Sequence, residues 1–281
     1  MGDPAPVDAQ AVRALADAVE AADGVAAFSE QTLLNLEGVQ HDGIAHLPLQ
    51  TGGELVGYGQ LDRGSAELAV LPAYRHRGLG GRLLDDALAR DPGTRVWAHG
   101  PHPGAAPLAA SRGLAVVREL WLMSAPPPSE TAAPEPPDGV ILTTFDADRD
   151  SDDWVAVNGR AFAAHPEQGR MTRADLDARR AEPWFDPESF WLARDDAGAL
   201  LGSMWTKVSE GHGEIYVLGI DPGAQGRGLG GLLTATAMHR FAQQPLTGLE
   251  LYVEGDNDAA IRTYQRAGFR RRRADVQYAR G

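Results

Sequence analysis

The 281-residue chain predicts a mixed α/β fold, a mixed sheet with helices, built twice in tandem. Three features carry that prediction. An apolar strand, Glu214 to Ile220, stops at Asp221-Pro222 and passes through a glycine-rich loop into a helix. The same segment occurs 150 residues earlier, where Pro72, Arg77, Gly78, Leu79, Gly80 and Gly81 match Pro222, Arg227, Gly228, Leu229, Gly230 and Gly231. Between the copies, Ser124 to Gly139 is proline-rich and acidic, lacks core-forming residues, and reads as an extended linker. The expected domains are therefore 1–123 and 140–281, joined by 124–139.

In the first copy, residues 11–22 carry a helical pattern that ends at Asp23-Gly24, and Glu30 to Leu36 gives a second short helix. Ile44 to Leu49 and Leu55 to Leu61 read as antiparallel strands around Thr51-Gly52-Gly53. Glu67 to Gly81 is the first strand and glycine loop, and Ser111-Arg112-Gly113-Leu114 resembles Arg266-Ala267-Gly268-Phe269 further on. The second copy starts near Val140. A helix is expected over 151–163 with Ser151 as its N-cap, then a polar loop from Phe162 to Gly169 and a helix from Arg173 to Ala181. Strands follow at Phe190 to Arg194 and Leu200 to Val208. After the strand and loop come a helix from Leu229 to Ala242, a strand from Leu249 to Glu254, a helix from Asn257 to Ala267, and a last strand from Val276 to Arg280.

Composition narrows the function. At 43% hydrophobic residues the chain can build real cores, and it has no apolar run long enough for a membrane span. The first residues lack the apolar core of a signal peptide, and Gly2 lacks the myristoylation pattern. With no cysteine there is neither a disulfide nor a thiolate metal site, and no metal is expected. These features fit a cytoplasmic protein. The net charge of −13 argues against nucleic-acid binding. From Arg262 to Gly281, however, there are seven Arg and one Asp. That island reads either as a solvated strand end or as a landing area for a polyanion. Lys207 is the single lysine among 26 basic residues.

The glycines at 226, 228, 230 and 231 let backbone approach a bulky anion, and the N–H groups at a helix start point toward it. The loop is therefore expected to hold a pyrophosphate. No Gly-Lys-Ser/Thr follows, which excludes a Walker loop, and Asp221-Pro222 separates strand from glycines, which excludes a Rossmann fingerprint.

Gln225-x-x-Gly228-x-Gly230 after such a strand resembles the acyl-CoA loop of the GCN5-related N-acetyltransferases. Asn257-Asp258-Ala259-Ala260-Ile261-Arg262-Thr263-Tyr264-Gln265-Arg266-Ala267-Gly268-Phe269 is similar to that family's second motif. The resemblance implies two tandem acetyltransferase domains, each with two central strands that splay around the acyl-CoA arm. Acyl transfer to an amine needs a proton acceptor, an oxyanion donor and a stabilised leaving thiolate. Glu214, at the start of the central strand, is the candidate base, and strand alternation puts Tyr216 and Leu218 on its face. A backbone N–H near Leu218 is the candidate oxyanion donor. Tyr264 is the candidate partner of the thiolate. A free phenol titrates near about 10 and a thiol near about 8.5, so hydrogen-bond donation is expected, with full proton transfer only if the site lowers the phenol. In the first copy Gly64 falls at the place of Glu214 and Ala109 at that of Tyr264. Glu67 falls on the opposite face at that offset and is not a replacement. The first copy is expected to bind acetyl-CoA without turning it over.

Asp23-Gly24-Val25-Ala26, Val96-Trp97-Ala98-His99-Gly100, His165-Pro166-Glu167-Gln168-Gly169, Trp205-Thr206-Lys207-Val208 and Leu251 to Asn257 resemble the actinobacterial branch of the family that forms mycothiol. Members acetylate the cysteinyl amine of a cysteine–glucosamine–inositol pseudodisaccharide, desacetylmycothiol, using acetyl-CoA. The resemblance makes Glu214 the general base and Tyr264 the general acid. It assigns acetyl-CoA to Leu218, Gly219, Ile220, Gln225, Gly226, Arg227, Gly228, Leu229, Gly230 and Gly231, with Asn257, Asp258, Ala259, Ala260, Ile261 and Arg262. A second acetyl-CoA would meet Leu68, Ala69, Val70, Arg75, His76, Arg77, Gly78, Leu79 and Gly80. Glu30, Glu167, Lys207, Glu214 and Tyr252 would contact the acceptor. A monomer acting on a small molecule, apart from membranes, is expected. Another tandem N-acetyltransferase and a non-catalytic acyl-CoA-binding regulator stay open on these residues.

Overall fold

The computed structural model describes residues 7–37, 43–163, 165 and 168–281. Its chain divides into two compact units: Met1–Leu120 with Arg273–Gly281, and Trp121–Arg272.

The first unit opens with α1 (Ala9–Asp23). Asp8 caps it by accepting from the Gln10 and Ala11 N–H groups, and Gly24 ends it in the left-handed conformation. Then follow α2 (Glu30–Leu34), β1 (Ala45–Thr51), β2 (Glu54–Asp62), β3 (Ser65–Val70), α3 (Leu79–Arg90), β4 (Arg95–Ala98), α4 (Ala105–Ala110) and β5 (Leu114–Ala125), which continues into the second unit. β1, β2 and β3 run antiparallel; β3 and β4 run parallel. α1 seals one face of the sheet with Val12, Leu15 and Val19 against Phe28, Tyr58 and Ala69. α3 seals the other with Leu83, Leu84 and Leu88 against Leu47, Val56, Leu61 and Val96.

The second unit contains β6 (Ile141–Thr144), α5 (Ala147–Ala161), α6 (Arg173–Arg180), β7 (Phe190–Arg194), β8 (Leu200–Ser209), β9 (His212–Ile220), α7 (Leu229–Ala242), β10 (Gly248–Glu254), α8 (Asp258–Arg266) and the start of β11 (Arg270–Arg280). Its strands lie in the order β6-β7-β8-β9-β10. The α5–α6 face carries an aromatic core of Trp154, Phe190 and Trp205, while α7 and α8 bury Leu233, Phe241 and Ile261 on the other.

Two expectations need correcting. The helix expected over 151–163 starts four residues earlier: Asp146 is its N-cap, accepting from Asp148 and Arg149, and Ser151 is buried inside it, donating to the Ala147 carbonyl at 2.6 Å. Aspartate out-competes serine here because the Asp150 carboxylate also accepts from the Asp146 N–H at 2.8 Å. The last strand begins at Arg270, and its end leaves the second unit. Val276, Gln277 and Tyr278 pair with Ala98, Trp97 and Val96 of β4, which satisfies their backbone groups inside the first unit. The segment expected as a linker makes contacts of its own. Thr131 accepts a hydrogen bond from His239 Nδ1 of α7 through its carbonyl at 2.8 Å, and Gln243 donates to the other ring nitrogen at 3.0 Å.

The returning strand closes a buried charge cluster. His99 lies just beyond β4, with Nε2 3.4 Å from Glu67 of β3 and Nδ1 3.1 Å from Asp275 of β11. Glu67 also accepts from the Ser29 N–H, and Asp275 from the Gly100 N–H, both at 2.8 Å. Burial opposes charge on the imidazole, but the two carboxylates overcome it and push the His99 pKa up to about 10. Burial likewise opposes charge on Glu67 and Asp275, and His99 holds both below the usual carboxylate range.

The signs define a pH window. The histidine contribution is complete below the free imidazole value of about 6.5 and is lost as pH rises through about 10. The carboxylate contributions are present above about 4 and are lost on acidification. His99→Gln should therefore cost about 3 kcal/mol near pH 6, because it strands two buried carboxylates. Thermal denaturation across pH should show the gap to the parent protein widest at pH 5–6.5 and narrowing toward pH 10.

Candidate functional site

The site of the second unit forms where two parallel strands part. β9 and β10 pair from His212↔Gly248 through Ile215↔Leu251, and the recorded pairing ends there. On its other edge, β9 carries a bulge: Trp205 opposes Val217 and Thr206 opposes Ile215, leaving Tyr216 as the extra residue. The bulge changes which side chains share a face. Leu218 and Ile220 turn toward α7 with Ile215, while Tyr216 and Val217 turn toward α5 and α6. Strict alternation had put Leu218 on the face of Glu214; the additional residue moves it to the other side.

Register gathers the acceptor-side candidates. Lys207 opposes Glu214 across the β8–β9 pair, and Glu250 opposes Glu214 across the β9–β10 pair. Tyr252 and Glu254 follow Glu250 on the same face of β10, and Tyr252 is 39% exposed. Glu254 holds His165 Nε2 at 2.7 Å. Lys207 Nζ sits 4.6 Å from the Trp184 ring centre and 5.6 Å from that of Tyr216. Glu250 and Trp184 had no place in the sequence assignment. Strand register, which composition does not encode, sets Glu250 opposite Glu214, and the chain beyond α6 brings the Trp184 ring centre within 5.0 Å of that of Tyr216. Glu30 begins α2 of the first unit, and Glu167 lies outside the described residues.

Tyr264 approaches from the opposite side. It is 5% exposed in the core beneath α7 and α8, with its ring 6.1 Å from that of Phe269. Burial pushes its phenol well above the ordinary value. The site thus raises rather than lowers the phenol, which stays protonated and can donate.

The glycine loop leads from β9 to α7 through a turn at Pro222–Ala224 that Asp221 caps by accepting from the Gly223 N–H. That hydrogen bond, together with the Arg160 guanidinium 2.7 Å away, holds the Asp221 carboxyl below its usual range. Gly226 and Gly228 are left-handed, with φ of 79° and 78°. Gly228 is the N-cap of α7 and supplies no side-chain acceptor, so the first-turn N–H groups have no cap from it. A Cβ at Gly226, Gly228, Gly230 or Gly231 would meet nothing within 4 Å. Open space facing an uncapped helix start fits a diphosphate. Gln225 and Arg227 flank it on the exposed side. In the second motif, Asn257 caps α8 by accepting from the Ala260 N–H at 3.1 Å. Asp258 and Arg262 pair at 3.6 Å, Ile261 is buried in the core with Ala260 half-buried against it, and Ala259 is exposed in the first turn.

The first unit repeats the loop with different side chains around it. Gly78 caps α3 with φ of 77°, and His76 adopts φ of 59° at the place of Gly226. Arg75 grips Asp23 through two contacts of 2.7 Å, and Arg77 donates to the Ala73 carbonyl. Leu68 and Val70 face α3, and Ala69 faces α1. β3 has no bulge against β2. Counting back from Leu68 and Leu218, Ser65 rather than Gly64 therefore stands in the register of Glu214. Glu67 consequently lies on the α1 side, the counterpart of the Glu214 face, contrary to the expectation from a constant offset. Its carboxylate is already engaged by His99 and Ser29.

Comparisons with known proteins agree with this architecture. The profile of the acetyltransferase (GNAT) family matches residues 14–113 and 159–269. A protein named mycothiol acetyltransferase from Sanguibacter keddieii is 50% identical over 97% of this chain and 93% of its own. Another of that name from Catenulispora acidiphila is 45% identical over 98% of this chain and 96% of its own. Among solved structures, a GCN5-related N-acetyltransferase from Sphaerobacter thermophilus matches with TM-score 0.70 and 25% identity, covering 98% of this chain and 93% of that one. A tandem GNAT protein from the clavulanic acid biosynthesis pathway has the same fold, with TM-score 0.71 at 21% identity over 96% of this chain and 93% of that one. The paired loops, the parted strands and these matches lead to one assignment: the chain is an acetyltransferase of the GNAT family.

Proposed function

We propose that the second unit transfers the acetyl group of acetyl-CoA to the cysteinyl amine of desacetylmycothiol, giving mycothiol and CoA. The observation that carries this reading is the register that sets Lys207, Glu214 and Tyr252 on one face of the parted strands. The curated relatives named mycothiol acetyltransferase, 45–50% identical over nearly the whole chain, support it.

Acetyl-CoA supplies an activated acyl group; the chain supplies proton acceptor, donors and orientation. A cysteinyl α-amine titrates near about 8, so a useful fraction is neutral at pH 7. As its nitrogen bonds to the carbonyl carbon, Glu214 takes the proton that the nitrogen sheds, directly or through water. Backbone N–H groups beside the bulge, near Leu218, donate to the oxyanion. When the carbon–sulfur bond breaks, Tyr264 donates a hydrogen bond to the departing sulfur. The α7 N-terminus with Gln225 to Gly231 holds the diphosphate, and the start of α8 assists. Lys207 and Tyr252 orient the sugar-bearing acceptor, with Glu167 as a further contact.

In the first unit we assign a second acetyl-CoA to the loop that ends at Gly78, without turnover. The matching backbone of the two loops supports binding, and the engaged carboxylate of Glu67 supports inactivity. We assign a cytoplasmic monomer acting on a small molecule, apart from membranes, and the acidic balance supports the reading that nucleic acid is not its partner. No helix among the described residues is long and apolar enough to cross a membrane.

A thiol-release assay should show turnover with desacetylmycothiol and far less with cysteine or spermidine; equal rates would defeat the acceptor assignment. Glu214→Ala should lower kcat by about a hundredfold at pH 7 and recover in part at high pH, where the amine is already neutral. Tyr264→Phe should reduce kcat by a similar factor while leaving the fold intact, checked by circular dichroism. Gly228→Val forces a β-branched residue into the left-handed region and points it at the diphosphate. The acetyl-CoA KM should rise at least about tenfold.

A further inference from the structure

Arg179 of α6 is 7% exposed and belongs to no motif of the family pattern described above. A guanidinium that deep is costly unless its donors find acceptors. Nε donates to the Tyr216 hydroxyl oxygen at 2.7 Å, and Nη1 donates to the Asp175 carbonyl one turn earlier at 3.1 Å. The first of these contacts reaches the bulge of β9, because Tyr216 is its extra residue.

The bulged ring is held from two further directions. Its centre lies 5.0 Å from that of Trp184 and 5.1 Å from that of Trp205, tilted in one case and edge-on in the other. Trp184 and Tyr216 together make a corner for the Lys207 ammonium, and Lys207 opposes Glu214 in register. A ring pinned at its hydroxyl and packed on both sides cannot swing without moving the cation lodged against it.

We propose that Arg179 is a positioning residue for the acceptor, acting through the Tyr216 hydroxyl to fix the aromatic corner that aims Lys207 beside Glu214. This rests on the reading of the Glu214 face as the acceptor side. Arg179 touches neither substrate in this scheme; it decides where Lys207 stands. Acceptor affinity, rather than cofactor affinity or the chemical step, is the quantity it governs.

Because Lys207 is the single lysine, its ammonium can be observed without any substrate. Reductive methylation with carbon-13 formaldehyde labels it and the chain's α-amine only, and the aromatic corner should shift the Lys207 methyl signal upfield by ring current. Tyr216→Phe keeps the ring and its volume but removes the acceptor for Arg179, so it is the variant safest for the fold. Both Tyr216→Phe and Arg179→Met should move the signal toward that of free dimethyl-lysine. Both should raise the KM for desacetylmycothiol about tenfold, with kcat and the acetyl-CoA KM changed less than about threefold. The double variant should be no worse than either single one, since both cut one path, and Arg179→Lys should restore part of the loss. An unmoved methyl signal in both single variants overturns the proposal whatever the acceptor is. So does an unchanged acceptor KM beside a lowered Tm, which makes Arg179 a structural anchor only. Failure of the parent protein to acetylate desacetylmycothiol instead overturns the substrate assignment, and the methyl signal still decides the role of Arg179.

Discussion

The parting of β9 from β10 after Ile215 and Leu251 is the constraint on which the second unit depends. Paired parallel strands leave no room for a ligand between them, because their backbone groups satisfy each other. Once they diverge, a chain-like ligand can take the vacated backbone contacts and reach both faces of the sheet. Glu214 stands at the last paired position on one face, and Tyr264 lies in the core beneath the other. The carboxylate and the phenol that we propose as base and acid are thereby kept apart by the sheet itself. They need no mutual contact, and neither neutralises the other before a substrate arrives.

Against that geometry, the two units differ in the bulge, in the buried histidine, and in the Ser65 and Ala109 that stand where the second unit has Glu214 and Tyr264. The loops are close copies down to their left-handed positions, even though His76 occupies a conformation that glycine takes in the second unit. Holding a non-glycine residue there costs about 1 kcal/mol or more. The first loop therefore keeps its shape against local preference. In the first unit the place where β3 and β4 part holds His99 between Glu67 and Asp275. A carboxylate that in isolation would be a proton acceptor is there part of the scaffold.

Much of this was legible in the sequence because it is written in local patterns. The glycine loops, their repetition and the helix that follows Asn257 all depend on short-range spacing. What escaped was long-range. A single extra residue at Tyr216 reverses the face of everything beyond it, and its signal lies in pairing with β8 rather than in β9 alone. Asp146 and Ser151 are both good caps by type, and only the reciprocal contact with Asp150 decides between them. Trp184 and Arg179 sit in a segment whose pattern says helix and turn, and nothing in it announces that Tyr216 will be its partner. The ownership of the final strand was equally hidden, since the pattern over Val276 to Arg280 fits a strand in either unit.

That final strand has a consequence for how the protein comes into being. A ribosome makes the N-terminal half first, and such halves ordinarily fold as they emerge. Here the edge of β4 and the imidazole of His99 must wait for the last nine residues, which are synthesised after the whole second unit. Cutting the chain at the linker would not release two self-sufficient modules either. The first would carry an uncovered sheet edge, an invitation to wrong pairing, and an imidazole robbed of one of its two counter-ions. Duplication produced two look-alike halves, but the order of translation makes the older-emerging one hostage to the younger.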